Sequence, residues 1–438
     1  MWKRVEKVIS LMLIGTIFLM ACGAEEIETG EAVTDETAEN NTDTGAEVLG
    51  ESEPEELSGE LRIMTWLPSN GWEDVIEGFT QEHPGVTVTV ETNQIEKAAT
   101  ANYMEKYTTR IMTGEGFDIV DSSLVNMEKC VGQGLFVDLY ELMDADGSFH
   151  REDYFSCIFE AAETDGKLPA FMYNVQPIYF HLNKELLEKA GIEYTKDTIT
   201  FKELFEIYEK VRETAGERIF LADAGYGYEG MSDYENGYFI RNNLIDTDEF
   251  EEYLKMRHEL YFTSKNRSPW IDGSMRIDFD VLFCQSELIL PGSSALEDIN
   301  DIFEGTEDMT GAILYESMHG EYYPSATLAL SISSFSENKK LAWEFIKYAF
   351  SDKETSLNRS SLFSPNKGKM EKVSEELTPE NREKLFRDIE AINTFKYADS
   401  NLYYNLESVY EDYLVNDSIT SEECRKELAS RVYLYMNE

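Results

Sequence analysis

Few residues in this sequence stand at spacings that a known chemistry requires. Gly225, Gly227 and Gly230 fit the GxGxxG pattern of a dinucleotide-binding turn, after an apolar stretch and before a possible helix. In nucleotide-binding domains that turn follows the strand that opens the domain, whereas here it lies in the middle of the chain. We therefore interpret it as a glycine-rich loop and predict no cofactor.

Catalytic and metal-binding motifs are missing from the sequence. It contains no GxSxG, HExxH or Walker A pattern, and its five histidines have no ligand spacing. Asp144 and Asp146 suggest calcium, but Gly147 stands at the wrong offset for an EF-hand loop. Acidic pairs are common among 86 Asp and Glu residues, so they do not indicate glycoside hydrolysis. We predict a protein that is not an enzyme and holds no metal.

Length and charge narrow the class of protein and of partner. A chain of 438 residues is long enough for about two domains, and 42% hydrophobic residues are typical of a globular protein. The formal net charge of −48 argues against a nucleic-acid partner, because phosphate binding needs clustered Lys and Arg. The same charge is compatible with a neutral or a cationic ligand.

The first 22 residues have the order of an export signal. Lys3, Arg4 and Lys7 precede an apolar run that is too short to span a membrane comfortably. The run ends in Leu-Met-Ala-Cys at 19–22, which resembles the lipobox of bacterial lipoproteins. The resemblance implies that residues 1–21 are removed and that Cys22 carries the lipid anchor, since two or more acyl chains hold a protein stably. An ordinary cleaved signal or an uncleaved anchor is the alternative.

Residues 22–58 continue as an acidic tether. From Gly23 to Ser58 the sequence has no Lys or Arg and almost no large apolar side chain, so it cannot offset its ordering entropy. We predict that it is disordered and holds the folded part away from the membrane. The wide spacing of the remaining cysteines leaves open whether they form disulfides or stay buried thiols: Cys130, Cys157, Cys284 and Cys424.

Strands and helices alternate after residue 58. Leu61–Trp66, Val86–Val90 and Phe117–Asp121 have strand patterns, and helical periodicity separates them. This order predicts a sheet with parallel strands covered by helices, in which ligands bind beyond the carboxyl ends of the strands. Trp66, Trp72 and Asp121 fall at such ends.

Several short motifs in this order resemble the family 1 extracellular solute-binding proteins, the group that includes the maltose-binding proteins. The match covers roughly 60–355, and the most specific piece is DGKLP at 165–169 followed by YFHLNKELLEKAGI at 179–192. The other matching pieces are the strand at 59–66, FTQEHPGVTVTVE (79–91), GEGFDIVD (114–121), GLFVDLYEL (134–142), TFKELFEIYEKV (200–211), FCQSELIL (283–290) and SISSFSENKKLAWEFIKYAFS (331–351).

The resemblance implies a two-lobed, periplasmic-binding-protein-like α/β fold. Each lobe would hold a mostly parallel sheet flanked by helices, with extra C-terminal helices and several chain crossings between the lobes. By analogy, residues 59–173 and 325–355 form the N-terminal lobe, and residues 174–324 and 356–438 form the C-terminal lobe.

The resemblance also implies the function. We expect a monomeric lipoprotein on the outer face of the cytoplasmic membrane that captures a sugar or oligosaccharide between its lobes. It would deliver this ligand to the permease subunits of an ABC importer. The alternative is the same fold binding a non-sugar solute, such as a polyamine or short peptide.

Sugar recognition needs flat aromatic faces and polar groups for the hydroxyls. By resemblance, Gln176 stands where relatives place a polar group, or it forms a plain hinge hydrogen bond. Trp66 and Trp72 face the cleft or cap the core, and Asp121 binds ligand or caps a helix. The remaining candidates are aromatic: Tyr173, Tyr226 and Tyr228 in the glycine loop, and Tyr403 and Tyr404, of which one should point inward. Trp343 lies in a helical apolar stripe and is predicted to be core.

The sequence departs from the family pattern near this cleft. His181 replaces a Tyr, and the Pro-Gly-Ser-Ser run at 291–294 lacks a Trp that many sugar binders have. Tyr322-Tyr323-Pro324-Ser325 stands where relatives have Gly-Gly before the late hinge strand. The identity of the sugar therefore does not transfer.

Overall fold

The chain is described by a computed structural model. The described residues are 56–65, 72–92, 110, 116–173, 175–215, 219–222, 232–265, 270–271, 274–275, 280–286, 303–305, 309–325, 328–351, 363–395 and 400–437, all within one compact unit. The predicted signal, Cys22 and the tether up to residue 55 lie outside this range. No helix in the described part of the chain is long and apolar enough to cross a membrane.

The strands are short, as is typical of a sheet whose strands are joined by helices. In chain order they are β1 Ser58–Thr65, β2 Gly85–Thr92, β3 Ile119–Asp121, β4 Phe171–Tyr173, β5 Gln176–Pro177, β6 Tyr179–Leu182, β7 Thr198–Thr200, β8 Ile219–Ala222, β9 Trp270–Ile271, β10 Ser274–Met275, β11 Asp280–Ser286, β12 Ile313–Glu316, β13 Pro324–Ser325 and β14 Leu328–Ile332.

Helices alternate with the strands in the described part of the chain, and its C-terminal part is helical. They are α1 Glu73–Glu82, α2 Met127–Gly132, α3 Leu139–Ala145, α4 Ser156–Ala162, α5 Lys184–Lys189, α6 Phe201–Ala215, α7 Ser232–Arg241, α8 Asp248–Lys265, α9 Lys339–Ala349, α10 Lys367–Val373, α11 Pro379–Glu390, α12 Ser400–Tyr410 and α13 Ser421–Asn437. Two 3₁₀ turns, Arg151–Asp153 and Ser374–Glu376, and a π-helical stretch, Glu411–Val415, complete them.

The first sheet has the strand order β2-β1-β3-β14-β4. β1 pairs in parallel with β2 and β3, whereas β14 is antiparallel to both β3 and β4. β1, β2, β3 and β4 therefore run in one direction and β14 runs against them, so the sheet is mostly parallel, as predicted. β14 runs the opposite way because it enters after the chain has passed through the second sheet.

The second sheet has the strand order β7-β12-β6-β11-β8 and is mostly parallel in the same way. β12 runs parallel to β7, and β11 runs parallel to β8. β6 is antiparallel to both β11 and β12, so the other four strands run in one direction and β6 runs against them.

The buried apolar residues form two clusters. In the first, Phe79 of α1 packs edge-on against Phe345 of α9 at 5.1 Å, because both helices place apolar residues one turn apart on one face. The second contains Phe180, Tyr253 and Leu428, which join β6, α8 and α13. Two five-stranded sheets flanked by helices confirm the predicted two-lobed α/β architecture.

The segment 363–395 packs on the first cluster, to which its Met370, Leu385 and Ile389 belong. Helices α12 and α13 pack on the second cluster. The first cluster also contains Tyr179 and Leu314 of the second sheet, so cluster membership does not assign a segment to a lobe. The division that places 356–438 in the second lobe stays a prediction.

The cysteines with described side chains are reduced. Cys130, Cys157 and Cys424 form no disulfide with one another, and Cys130 and Cys424 are buried. Burial raises the pKa of the Cys424 thiol to about 12 and that of Cys157 to about 11, so neither is a reactive thiolate at neutral pH.

Candidate functional site

The first sheet presents the carboxyl ends of three strands along one edge. Thr65 ends β1, Asp121 ends β3 and Tyr173 ends β4, and the pairing with β14 places all three ends on the same side. The Thr65 hydroxyl donates to Asp121 Oδ2 at 2.9 Å. This edge is where ligands bind in sheets of this type, so it is the candidate site.

Asp121 organises the loop that follows β3. It is fully buried, and its Oδ1 accepts from the backbone N–H of Ser123 at 3.2 Å as well as from the Ser123 hydroxyl. The predicted helix-capping alternative is wrong, because the side chain of Asn126, not Asp121, caps α2 by accepting from Lys129 N at 2.7 Å. Asp121 therefore fixes the backbone of the site edge.

Ser122 ties the same loop to β14, a connection that sequence reasoning missed. Its backbone N–H donates to the Ala329 carbonyl at 2.7 Å, and its hydroxyl lies 2.7 Å from the hydroxyl of Ser331. Both serines are fully buried. No local pattern signals this pair, since the two residues are far apart in the sequence.

Tyr173 is an edge residue with one ring face covered. Its ring stacks on Phe350 at 4.9 Å, and the side chain is buried. The ammonium of Lys369, on α10, lies 5.6 Å from the ring centroid, within the range of a cation–π contact. Burial lowers the pKa of the Lys369 amine to about 8. Lys369 is a second residue near the edge that the sequence did not indicate.

Gln176 lies in the first chain segment that passes between the lobes. It is buried in β5, which pairs antiparallel with β13, so that Gln176 stands opposite Ser325 of the returning segment. Gln176 thus sits close in sequence to the edge residue Tyr173 and directly on the crossing. Its place is compatible with both predicted roles, ligand contact and hinge hydrogen bond.

The two tryptophans predicted to flank the site have different outcomes. Trp72 has no exposed surface and stacks on Phe345 at 6.3 Å, so it is a core residue and not part of a cleft surface. Trp66, which directly follows Thr65, lies outside the described residues. Trp343 packs in the first cluster as predicted, and its indole N–H donates to Asp146 at 2.9 Å.

The second lobe contributes aromatic candidates that the structure describes in part. Tyr403 and Tyr404 are half-buried on α12, with ring centroids 5.6 Å apart. Tyr226 and Tyr228, which follow β8 in the sequence, lie outside the described residues.

Glu235 is a buried carboxyl group near the carboxyl end of β12. Its Oε1 accepts from the Tyr315 hydroxyl at 2.7 Å and from Met318 N at 3.0 Å, while Oε2 has no hydrogen-bond partner among the residues that the structure describes. Burial raises its pKa to about 7, against the lowering effect of these two hydrogen bonds. Sequence reasoning did not identify this residue, because nothing local distinguishes it among so many acids.

Metal-ligand geometry is not found in the part of the chain that the structure describes. No group of three or more His, Cys, Asp or Glu side chains there is arranged to hold a metal ion. Asp146, weighed as a calcium ligand, instead accepts from Lys347, Ser148 and Trp343. Burial alone would raise its pKa, but these hydrogen bonds outweigh burial and hold the pKa of Asp146 far below its usual range.

Comparison with protein families gives one match over most of this region. A family model described as bacterial extracellular solute-binding protein matches residues 66–356, more than half of the 438 residues. The matched range begins at the end of β1 and continues past α9, so it contains most of both sheets.

Solved structures share the architecture at low sequence identity. An ABC substrate-binding protein from Listeria monocytogenes in complex with cycloalternan has a TM-score of 0.58 and 16% identity, covering 87% of this chain and 99% of its own. Maltose-bound MalE3 of T. maritima has a TM-score of 0.56 and 17% identity, covering 86% and 99%. The GacH receptor of Streptomyces glaucescens, solved unliganded and with acarbose, has a TM-score of 0.55 and 16% identity, covering 87% and 100%. At these identities the similarity shows a common two-lobed fold.

Proposed function

Because the chain belongs to the bacterial extracellular solute-binding protein family, we propose that it captures a sugar or oligosaccharide between its lobes for an ABC importer. The family consists of solute-binding rather than catalytic proteins, and it acts outside the cytoplasm. In this proposal the protein works as a monomer. It releases its ligand unchanged to the permease subunits.

The observation that carries this proposal is the convergence of Thr65, Asp121 and Tyr173 on one edge of the first sheet. The crossing segment with Gln176 begins three residues after Tyr173, so a ligand at this edge would also touch the hinge. The proteins of similar fold named above were solved with cycloalternan, maltose and acarbose, which supports a carbohydrate as the class of ligand.

The proposed contacts are aromatic stacking and hydrogen bonds. We assign ligand contact to Trp66 and Asp121, to Tyr173 and Gln176 at the crossing, and to Tyr226, Tyr228, Tyr403 and Tyr404 from the second lobe. Micromolar affinity needs about −8 kcal/mol. Two stacked rings and a few charge-assisted hydrogen bonds, at about 1.5–3 kcal/mol each, reach that value after the costs of association.

A ligand screen tests the proposal. Purified protein from residue 56 onward is melted with maltose, with longer and cyclic oligosaccharides, with spermidine and with short peptides. A ligand that binds only the folded state raises the free energy of unfolding, by about 2.7 kcal/mol at a ligand concentration of one hundred times the Kd. The melting temperature rises as a result. A shift with carbohydrates alone supports the proposal. A shift with spermidine or peptides alone would replace the sugar by a non-sugar solute on the same fold, which the acidic charge of the chain permits.

We further propose that Cys22 carries a lipid that holds the protein on the outer face of the membrane. Cys22→Ala should release the protein into the medium, because the remaining signal has no acyl chains to anchor it. Persistent membrane attachment of the alanine variant would contradict lipidation at this residue. Cys424→Ala, which changes a buried thiol far from the N-terminus, is the control for a nonspecific effect of losing a cysteine.

A further inference from the structure

Two neighbouring tyrosines at the second chain crossing pack on different hydrophobic clusters. The side chain of Tyr323 is buried in the second hydrophobic cluster, whereas that of Tyr322 packs against the first. The backbone at this crossing therefore passes between two side chains that pack on different clusters.

Both tyrosine hydroxyls are tied to charged groups of the second lobe. The Tyr323 hydroxyl accepts from the Arg241 guanidinium at 2.9 Å, and it also bonds Glu321, with which Arg241 forms an ion pair at 2.9 Å. The Tyr322 hydroxyl donates to Glu316 Oε2 at 2.9 Å. The second lobe thus holds the crossing segment on its own side.

Asn393 holds the same segment from the other side. Its Oδ1 accepts from Tyr322 N at 2.9 Å, its own backbone N–H donates to the Tyr322 carbonyl at 3.2 Å, and its side-chain amide lies 3.4 Å from the Gly320 carbonyl. The chain beside Asn393 is fixed in turn to the first lobe, because the backbone N–H of Phe395 donates to the Ala161 carbonyl of α4 at 3.2 Å.

These contacts connect the crossing segments that the structure describes. The first segment, β5, is hydrogen-bonded to the second through β13. The second is hydrogen-bonded through Tyr322 to Asn393, near the end of the described range 363–395. Leu402, on α12 in the next described range, belongs to the second cluster. We propose that Asn393 is a positioning residue that latches the crossing segments together and restricts rotation between the lobes, without contacting the ligand.

Two measurements on the ligand-free chain test the latch. Amide hydrogen exchange at Tyr322 reports the bond to Asn393 Oδ1, and the distance distribution between spin labels at Glu141 and Glu209, one exposed position in each lobe, reports the rotation. The labels are attached by a non-cysteine chemistry. For Asn393→Ala we expect exchange at Tyr322 at least about tenfold faster and a broader distance distribution, because the acceptor is lost.

Two further variants keep the test specific. Asn393→Asp retains an acceptor oxygen at the same place and should restore slow exchange at Tyr322. Asn242→Ala, which removes only a side-chain bond to the Tyr238 carbonyl at a helix end, should change neither measurement. An unchanged distance distribution in Asn393→Ala, or fast exchange in Asn393→Asp, would overturn the latch. Neither readout uses a ligand, so the latch and the proposed sugar binding can fail separately.

Discussion

At the scale of single residues, position at a strand end does not decide whether a side chain meets solvent. Trp72, which was predicted to flank the end of β1, is enclosed against Phe345 in the first core. Asp121 does end its strand as predicted, but its two carboxylate oxygens already accept hydrogen bonds from Thr65 and Ser123. Replacing Asp121 would therefore affect binding partly by changing the conformation of the loop that it stabilises.

Trp66→Ala tests the stacking contact at the end of β1. We expect the Kd for a carbohydrate ligand to rise about 10- to 100-fold, because a stacked ring contributes roughly 1.5–3 kcal/mol. Isothermal titration measures the change. Tyr433→Ala, which removes an aromatic side chain that is 68% exposed on α13, serves as the control and should bind normally. Equal affinities of the Trp66 variant and wild type would exclude this residue from the site.

Glu235 makes stability depend on pH in a direction that can be calculated. Its pKa is about 7 in the folded chain against 4.5 when exposed, so the folded state binds the proton more tightly. The contribution of Glu235 to the free energy of unfolding is fully present below pH 4.5. It is lost as the pH rises through 7, which lowers the free energy of unfolding by up to about 3 kcal/mol. Glu235→Gln keeps an acceptor for Tyr315 but cannot ionise. Urea unfolding at pH 5 and pH 8 should show a smaller decline for Glu235→Gln than for wild type, and equal declines would contradict the assignment.

At the scale of elements, α11 contains a buried ion pair beside the second sheet. Lys384 Nζ lies 2.9 Å from Asp388 Oδ2, with side-chain exposures of 15% and 4%, and the ammonium is 5.7 Å from the ring of Tyr179 in β6. Burial raises the pKa of Asp388 even though Lys384 opposes the shift. The helix α11 thus places the Lys384 ammonium against β6, the strand that follows the first crossing.

Lys384→Met should destabilise the protein by about 2–4 kcal/mol, since it leaves the Asp388 carboxylate buried with a weaker partner. The matched control is Lys426→Met on α13. Lys426 has the same i,i+4 spacing to Glu422, but both side chains are about 60% exposed, and such pairs contribute less than about 1 kcal/mol. Chemical denaturation compares the two variants. If Lys384→Met and Lys426→Met lower the free energy of unfolding by similar amounts, burial of the ion pair does not increase the cost of removing its lysine.

At the scale of the whole molecule, the net charge of −48 opposes the compact state by self-repulsion. The acidic tether accounts for part of this charge, and the folded lobes carry the rest. Within the folded part, acidic groups that are far apart in the sequence repel one another.

Added salt should therefore stabilise the folded part. Between 10 mM and 300 mM NaCl the Debye length falls from about 30 Å to below 8 Å, so repulsion between distant acids is screened. We expect the melting temperature of the chain from residue 56 onward to rise by several degrees. Choline chloride in place of NaCl controls for a site-bound sodium ion. A melting temperature that is constant or falls with salt would mean that local ion pairs outweigh the net repulsion.

The sequence alone determined the features that depend on local order along the chain. Charge and apolar periodicity marked the predicted export signal and the tether, and they located the first strands and helices. The succession of motifs indicated the two-lobed fold, because these elements recur in the same order in relatives. Tertiary structure decided what depends on contacts between distant residues. It placed Trp72 in the core, brought Lys369 to Tyr173, assigned 363–395 to the first cluster and set Asn393 against Tyr322. Such contacts are set by the packing of whole elements, which no local pattern encodes.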